Sequence, residues 1–268
     1  MDTDKAAVRQ FWERASCGEE LYLNSRDRAG YERQASVRYE VEPFILGFAH
    51  FEESRGKRVL EIGVGLGADH QRFAEAGAIL DGIDLTQRAV SLTKDRLSQF
   101  ALKSHLQVGD AEALAYPNDH FDVVYSWGVL HHSPDTPRAI SEVWRVLKPG
   151  GLAKIMIYHK HSMVGYMLWM RYALLKFHPT MILADVYAKY LESPGTKAYS
   201  IEEARNLFRP FKRVEISTQL SHGDLLTSSA GQRHRGFALS AARLVWPRTL
   251  IRRFFSSSGL FMLITATK

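Results

Sequence analysis

The chain has 268 residues, 46% of them hydrophobic, with one cysteine and a formal charge of +6. That length and apolar fraction suffice for one sizeable α/β domain with an elaboration, and they exclude a disordered, collagenous or disulfide-built chain. Cys17 alone cannot form an intrachain disulfide, no uninterrupted apolar stretch reaches membrane-spanning length, and no basic-then-apolar leader opens the chain, so a cytoplasmic setting is expected.

Taken in chain order, Ala7, Val8, Phe11, Trp12 and Ala15 recur at helical spacing and predict a helix over Lys5 to Ala15. A second helix is predicted over Ser36 to Phe51, broken near Pro43. Residues 1–57 therefore read as an N-terminal helical cap. From Arg58 the pattern alternates strand and helix, with strands near 58–64, 78–84, 105–110, 121–127 and 152–158 and helices near 67–76, 86–100 and 135–147. Alternation of this kind demands a parallel sheet with right-handed crossovers. Lys148-Pro149-Gly150-Gly151 supplies the turn that ends the third of these helices. Residues 161–200, rich in Met, Tyr, Trp and Leu, read as a helical insertion, either a pocket cover or a core-packing helix pair. Arg213 to Leu220 and Gly259 to Thr267 look like two further strands within a C-terminal portion, residues 201–268.

The most informative local feature is VLEIGVGLGAD, Val59 to Asp69, followed about twenty residues on by Asp84 at the end of ILDGID. A buried strand that must turn sharply into a helix needs glycine where the backbone bends and where a ligand approaches it closely. Asp84, at the carboxyl end of the next strand, presents two oxygens to the paired hydroxyls of a ribose. By itself the loop is ambiguous, because Gly63, Gly65 and Ala68 also satisfy a looser dinucleotide pattern.

Glu61, Gly63, Gly65, Gly67, Asp84, Asp110 in Gly109-Asp110-Ala111-Glu112, the stretch FDVVYSWGVLHHSPD and the later LKPGG occur in one order. That series, from about Arg58 to Tyr158, resembles the motifs of the class I, Rossmann-like S-adenosylmethionine-dependent methyltransferases of the small-molecule type. The resemblance implies a seven-stranded, mostly parallel, doubly wound α/β sheet with the last two strands as an antiparallel pair at one edge. It makes residues 58–160 the core that binds S-adenosylmethionine. It places Gly63 to Gly67 against the methionine portion of the cofactor, Asp84 on the ribose, Asp110 with Ala111 at the adenine amino edge, Leu85 over the ring and Trp127 near the sulfonium. In the resembling family the N-terminal segment often covers the cofactor, which makes Tyr22, Tyr31, Arg38, Tyr39 and Glu40 lid candidates.

Methyl transfer from a sulfonium is an in-line displacement that gains most from alignment and exclusion of water; a base helps when the acceptor is a hydroxyl or an acidic carbon. His131, His132 and His159, after the fourth and fifth strands, are the candidates for that role. Tyr39, Tyr158, His161, Trp169, Tyr199, His222 and Arg233 are candidates for the acceptor pocket. No metal is expected, since His131-His132 and His159-x-His161 lack a carboxylate or cysteine companion at a recognisable interval. Ten Lys or Arg against two acids between Arg205 and Arg253 make the C-terminal third basic. That segment reads as a solvated face, a groove for an anionic acceptor, or a peripheral contact with a membrane surface. No nucleic-acid motif accompanies it, so no nucleic-acid partner is expected. The expected activity is methylation of a small, amphipathic or anionic metabolite on O, C or N. The alternatives are a homologue that binds the cofactor without turnover and a nicotinamide-dependent oxidoreductase.

Overall fold

A computed structural model describes residues 3–227, Arg243 and residues 246–268. The chain opens with α1 (Thr3–Arg14), the single turn α2 (Glu19–Tyr22), α3 (Arg28–Val41) and α4 (Phe44–Ala49). The core follows as β1 (Arg58–Ile62), α5 (Ala68–Glu75), β2 (Ile79–Asp84), α6 (Gln87–Gln99), β3 (His105–Val108), β4 (Phe121–Trp127), α7 (Thr136–Val146) and β5 (Leu147–Tyr158). Helices α8 (Met163–Tyr172) and α9 (Leu183–Tyr190) are inserted before α10 (Ile201–Leu207) and β6 (Arg213–Gln219). The short α11 (His222–Leu225), then α12 (Arg248–Phe254) and β7 (Phe261–Thr267), complete the described elements.

The strands form one sheet in the order β3-β2-β1-β4-β5-β7-β6. β1 to β5 are parallel, whereas β7 runs antiparallel to both β5 and β6. Parallel strands covered on both faces must be apolar on both faces, and Val123, Val124 and Tyr125 of β4 are all buried. Because β2 and β4 flank β1, the strand order reverses at β1, and a crevice opens beyond the carboxyl ends at that point.

Two boundaries differ by more than two residues from those the pattern predicts. α3 begins at Arg28 rather than Ser36, with Asp27 capping it through a 2.7 Å bond from the Gly30 amide. Its early turns escape the apolar periodicity because the buried Gln34 binds Arg96 of α6, not an apolar neighbour. β5 begins at Leu147 rather than 152: Phe121 pairs with Leu147, the register then shifts, and Val123 pairs with Leu152. The LKPGG segment is thus an irregularity within a strand and not a separate turn, held by Gly150 N donating to Lys268 O at 3.0 Å.

The cap is fastened to the core through charge. Arg38 of α3 makes a two-pronged contact with Asp69 of α5 at 2.9 and 2.6 Å, while Tyr39 and Tyr125 hydroxyls donate to the same carboxylate at 3.0 and 2.8 Å. Burial pushes Asp69 upward, but the Arg38 charge and the three hydrogen-bonding side chains outweigh it and hold the carboxyl below its usual range. Arg38→Leu leaves that 3%-exposed carboxylate without its cation, so a loss of about 3–5 kcal/mol is expected in denaturant unfolding. A loss below about 1 kcal/mol would show that the joint is not built this way.

Candidate active site

The crevice at the switch point is part of a cavity of about 710 Å³. One end of it is built by the β1–α5 bend. Gly63 adopts φ +84°, and a Cβ there would lie 2.1 Å from the Val129 side chain. Gly65 adopts φ +53°, and a Cβ there would meet nothing within 4 Å, so its main chain faces open space into which a ligand can press. Gly67 completes the bend as the residue preceding α5.

Asp84 is oriented by its own backbone surroundings. Its Oδ1 accepts from the Thr86 amide at 3.0 Å and the Thr86 hydroxyl at 2.8 Å, and its Oδ2 accepts from the Gly65 amide at 3.3 Å. Burial raises this carboxyl against those bonds; donors from a bound diol would relieve the cost. Leu85, Asp110 and Ala111 continue the same wall. Asp110 already accepts from the Glu112 amide at 2.9 Å and from Lys5 Nζ at 2.7 Å, and Lys5 also binds Glu112. Helix α1 therefore closes the cavity over Asp110, a contact between residues more than a hundred positions apart that no local motif records.

Glu61 reaches the cavity wall, and its Oε2 lies 2.8 Å from His70 Nδ1 beneath the bend. Burial raises the Glu61 carboxyl well above its ordinary range and lowers His70 to about 3. Trp127, at the end of β4, lines the cavity and packs against Phe44, Phe48 and Phe261, with the Arg38 guanidinium 5.9 Å from its ring. Glu42 stands beside it. Burial pushes the Glu42 carboxyl up to about 7 despite the nearby Arg38.

Beyond Trp127 the wall turns apolar: Met156, Met167, Leu168, Met170, Leu175 and Leu260 line it. Set into this wall is a polar cluster. Tyr158 OH donates to Glu192 Oε2 at 2.8 Å, and His132 Nε2 lies 3.3 Å from the same oxygen without hydrogen-bond alignment. His132 Nδ1 is engaged by Ser193 at 2.8 Å and Thr196 at 3.1 Å. Burial raises Glu192, but the His132 and Tyr158 contacts prevail and hold it below its ordinary range. Cys17 also lines the cavity and is exposed to solvent there.

Of the three candidate bases, only His132 lines the cavity. His131 is fully buried between the His132 and Tyr158 rings, at 4.2 and 4.0 Å, and burial lowers it well below its usual range. His159 turns away and places Nδ1 3.2 Å from the Gly259 carbonyl. Among the acceptor-pocket candidates, Tyr158 and His222 line the cavity; Tyr39, His161, Trp169 and Tyr199 do not. Tyr39 serves the Asp69 network, Trp169 donates to the Met181 carbonyl at 2.8 Å, His161 is exposed, and Tyr199 packs on the main core. Of the lid candidates Tyr22 and Arg38 reach the cavity, whereas Tyr31 is buried with its hydroxyl on the Leu92 carbonyl. Arg233 lies outside the described residues.

Glu192 escaped the sequence reading because nothing local marks it; only the fold brings residue 192 to His132. It also removes the spacing argument against a metal, since ligand atoms of His131, His132 and Glu192 lie within 4.8 Å of one another.

An open α/β sheet with a glycine bend and two acidic strand ends at its switch point defines an adenosine-binding protein of the Rossmann-like class. Residues 60–155 match the family described as "Methyltransferase domain". Over this segment, about a third of the chain, it is similar to S-adenosylmethionine-dependent methyltransferases. It is 33% identical over 97 residues to a ubiquinone biosynthesis O-methyltransferase of Coxiella burnetii, covering 36% of this chain and 42% of that one. It is 36% identical over 99 residues to the 27-O-demethylrifamycin SV methyltransferase of Amycolatopsis mediterranei, covering 36% of each. The chain thus spans less than half the length of these relatives. In fold it is similar to phosphoethanolamine N-methyltransferase 2 of Haemonchus contortus, at a TM-score of 0.58 and 17% identity, over 97% of this chain and 60% of that one.

The residues present fit S-adenosylmethionine: an open approach at Gly65 and an oriented, cavity-facing Asp84 suit its methionine and ribose portions. Asp84→Ala is expected to weaken binding of S-adenosylmethionine about 10- to 100-fold in calorimetric titration, through two lost hydroxyl contacts. Unchanged affinity would place the ribose elsewhere. Glu42 adds a pH test with a definite sign. Ionised above about 7, it attracts the cationic sulfonium, so S-adenosylmethionine should bind several-fold more tightly at about pH 8 than at about pH 6. The uncharged thioether product should show little of this change, and Glu42→Gln should flatten it; equal pH dependence for both ligands would exclude Glu42 as the cause.

Proposed function

We propose that this protein methylates a small amphipathic metabolite on a hydroxyl or amine, with S-adenosylmethionine as donor. The observation that carries this reading is the continuity of the cavity from Asp84 past Trp127 to an apolar wall interrupted by Glu192, Tyr158 and His132. S-adenosylmethionine, when bound, supplies an electrophilic methyl group on sulfur. The protein's own part is alignment and charge. Met167, Leu168 and Leu260 would hold the apolar body of the acceptor and exclude water, while Glu192 would accept a hydrogen bond from its hydroxyl or amine.

Methylation of a neutral oxygen or nitrogen makes that atom cationic. In an apolar cavity such a charge is costly unless an anion stands beside it. Glu192, held ionised by His132 and Tyr158, would stabilise the developing cation; on oxygen it would also take up the proton, which even a weakly basic carboxylate removes from a protonated ether, whereas a methylated amine would leave as its ammonium ion. The relatives named above act, by their names, on ubiquinone precursors and a rifamycin, and this supports a small-molecule acceptor.

The test is transfer of radiolabelled methyl from S-adenosylmethionine to a panel of alkyl-substituted phenols and amines. Label is expected in the organic phase. Glu192→Gln should lower kcat about 10²-fold or more while S-adenosylmethionine affinity stays within about twofold. Tight cofactor binding without transfer to any acceptor would favour a homologue that binds the donor without turnover. Failure to bind the donor would remove the reading altogether.

A further inference from the structure

The last turn of α8 and the segment joining it to α9 carry an unusual surface. Met170, Leu174, Leu175, Phe177 and Ile182 are all exposed, Phe177 at 91% and Leu175 at 67%. Solvated apolar side chains are ordinary when scattered, but a cluster on one projecting turn marks a surface that meets something apolar. The turn is a defined structure. Trp169 Nε1 donates to the Met181 carbonyl at 2.8 Å, His178 N donates to Ala173 O at 2.8 Å, and the Tyr172 and Tyr190 rings stack at 4.1 Å. Phe177 itself sits at φ +60°, a left-handed conformation that bulky residues rarely adopt. The backbone thus accepts local strain while its ring points outward.

Charge indicates what covers this surface. Between Met163 and Tyr190 the sequence carries Arg171, Lys176 and Lys189 against one acid, Asp185. Arg171 and Lys176 are exposed among the apolar residues themselves. Apolar side chains ringed by cations match a bilayer surface bearing anionic headgroups, with the apolar groups entering the acyl boundary and the cations meeting phosphate. No described helix is long and apolar enough to cross a membrane, so the contact would be peripheral. Position adds a further argument: Met170 and Leu175 belong both to the exposed cluster and to the cavity wall. The cavity therefore opens beside the surface that would touch lipid. Helix α12 has the same character, with Leu250, Phe254 and Phe255 exposed beside Arg252 and Arg253.

We propose that the α8–α9 turn is a docking surface for an anionic lipid bilayer, set so that the mouth of the cavity lies at the membrane interface. The docking itself stands on the turn; the entry of an acceptor from lipid rests on the methyltransferase reading.

The experiment is co-sedimentation of the full chain with phosphatidylcholine vesicles and with mixed phosphatidylcholine–phosphatidylglycerol vesicles, at low and high salt. Binding is expected to the mixed vesicles, weaker to phosphatidylcholine alone and weakened by salt. Phe177→Ser combined with Ile182→Ser should reduce vesicle affinity about tenfold or more, with thermal unfolding and S-adenosylmethionine affinity unchanged, because neither residue lines the cavity. No sedimentation with mixed vesicles, or equal sedimentation of the double variant, would overturn the proposal. So would a concentration-dependent dimer, seen by analytical ultracentrifugation, that the same double variant dissociates while vesicle binding is absent. Vesicle binding needs no turnover, so its failure would leave the methyltransferase reading untouched, and loss of donor binding would leave this one untouched.

Discussion

The site depends on one constraint, the bend that carries the chain from β1 into α5 at the point where the strand order reverses. There the main chain at Gly65 faces open space, and the Gly65 amide lies 3.3 Å from Asp84 at the end of the neighbouring strand. Bend and carboxylate are therefore parts of one object: a backbone bare enough to be approached, and an anion oriented beside it by Thr86. A side chain at Gly63 would strike Val129, so the loops after β1 and β4 also fit together only while that position stays bare. The apolar strands beneath, buried on both faces, supply the rigid floor on which this geometry rests.

Around that floor the protein closes the cavity with charge. Lys5 on α1 bridges Asp110 and Glu112, Arg38 on α3 grips Asp69, and Glu19 meets Arg88 at 2.7 Å through both oxygens. Such pairs add little net stability when compared with apolar packing, but they fix where a cap sits. The cap thus positions Glu42 and Cys17 over the interior, while the insertion delivers Glu192 from the other side. The two carboxylates differ in state: burial dominates at Glu42 and raises it, whereas the His132 and Tyr158 contacts dominate at Glu192 and lower it. One cavity therefore holds a carboxyl that titrates near neutrality and another held ionised, two different tools from the same side chain.

What could be read from the sequence follows the range of the interactions. The glycine bend, Asp84 and the alternation of strands with helices are local, and periodicity and spacing record them; Gly63 to Gly67, Asp84, Leu85, Asp110, Ala111 and Trp127 all line the cavity. Histidines near strand ends looked chemically active because their type and position fit, yet burial decides their state, and burial is a property of the whole fold. His131 and His159 are enclosed, whereas His132 alone of the three reaches the interior. Glu192 and Lys5 carry no mark at all in their neighbourhoods, because each acquires its partners across dozens of residues. The early turns of α3 were hidden for a related reason: they bury the polar Gln34, with Arg96 as its partner, so no apolar stripe betrays them.

The central claim is that this bend and Asp84 cradle the adenosyl end of S-adenosylmethionine, with its sulfur directed past Trp127 toward Glu192. A crystal structure of the protein with S-adenosylhomocysteine tests it most directly. The account expects both ribose hydroxyls on Asp84, the adenine beside Asp110 and Leu85, and the thioether sulfur facing the cluster of Tyr158, His132 and Glu192. A cavity that stays empty at saturating ligand, or a ribose held by residues other than Asp84, would contradict it.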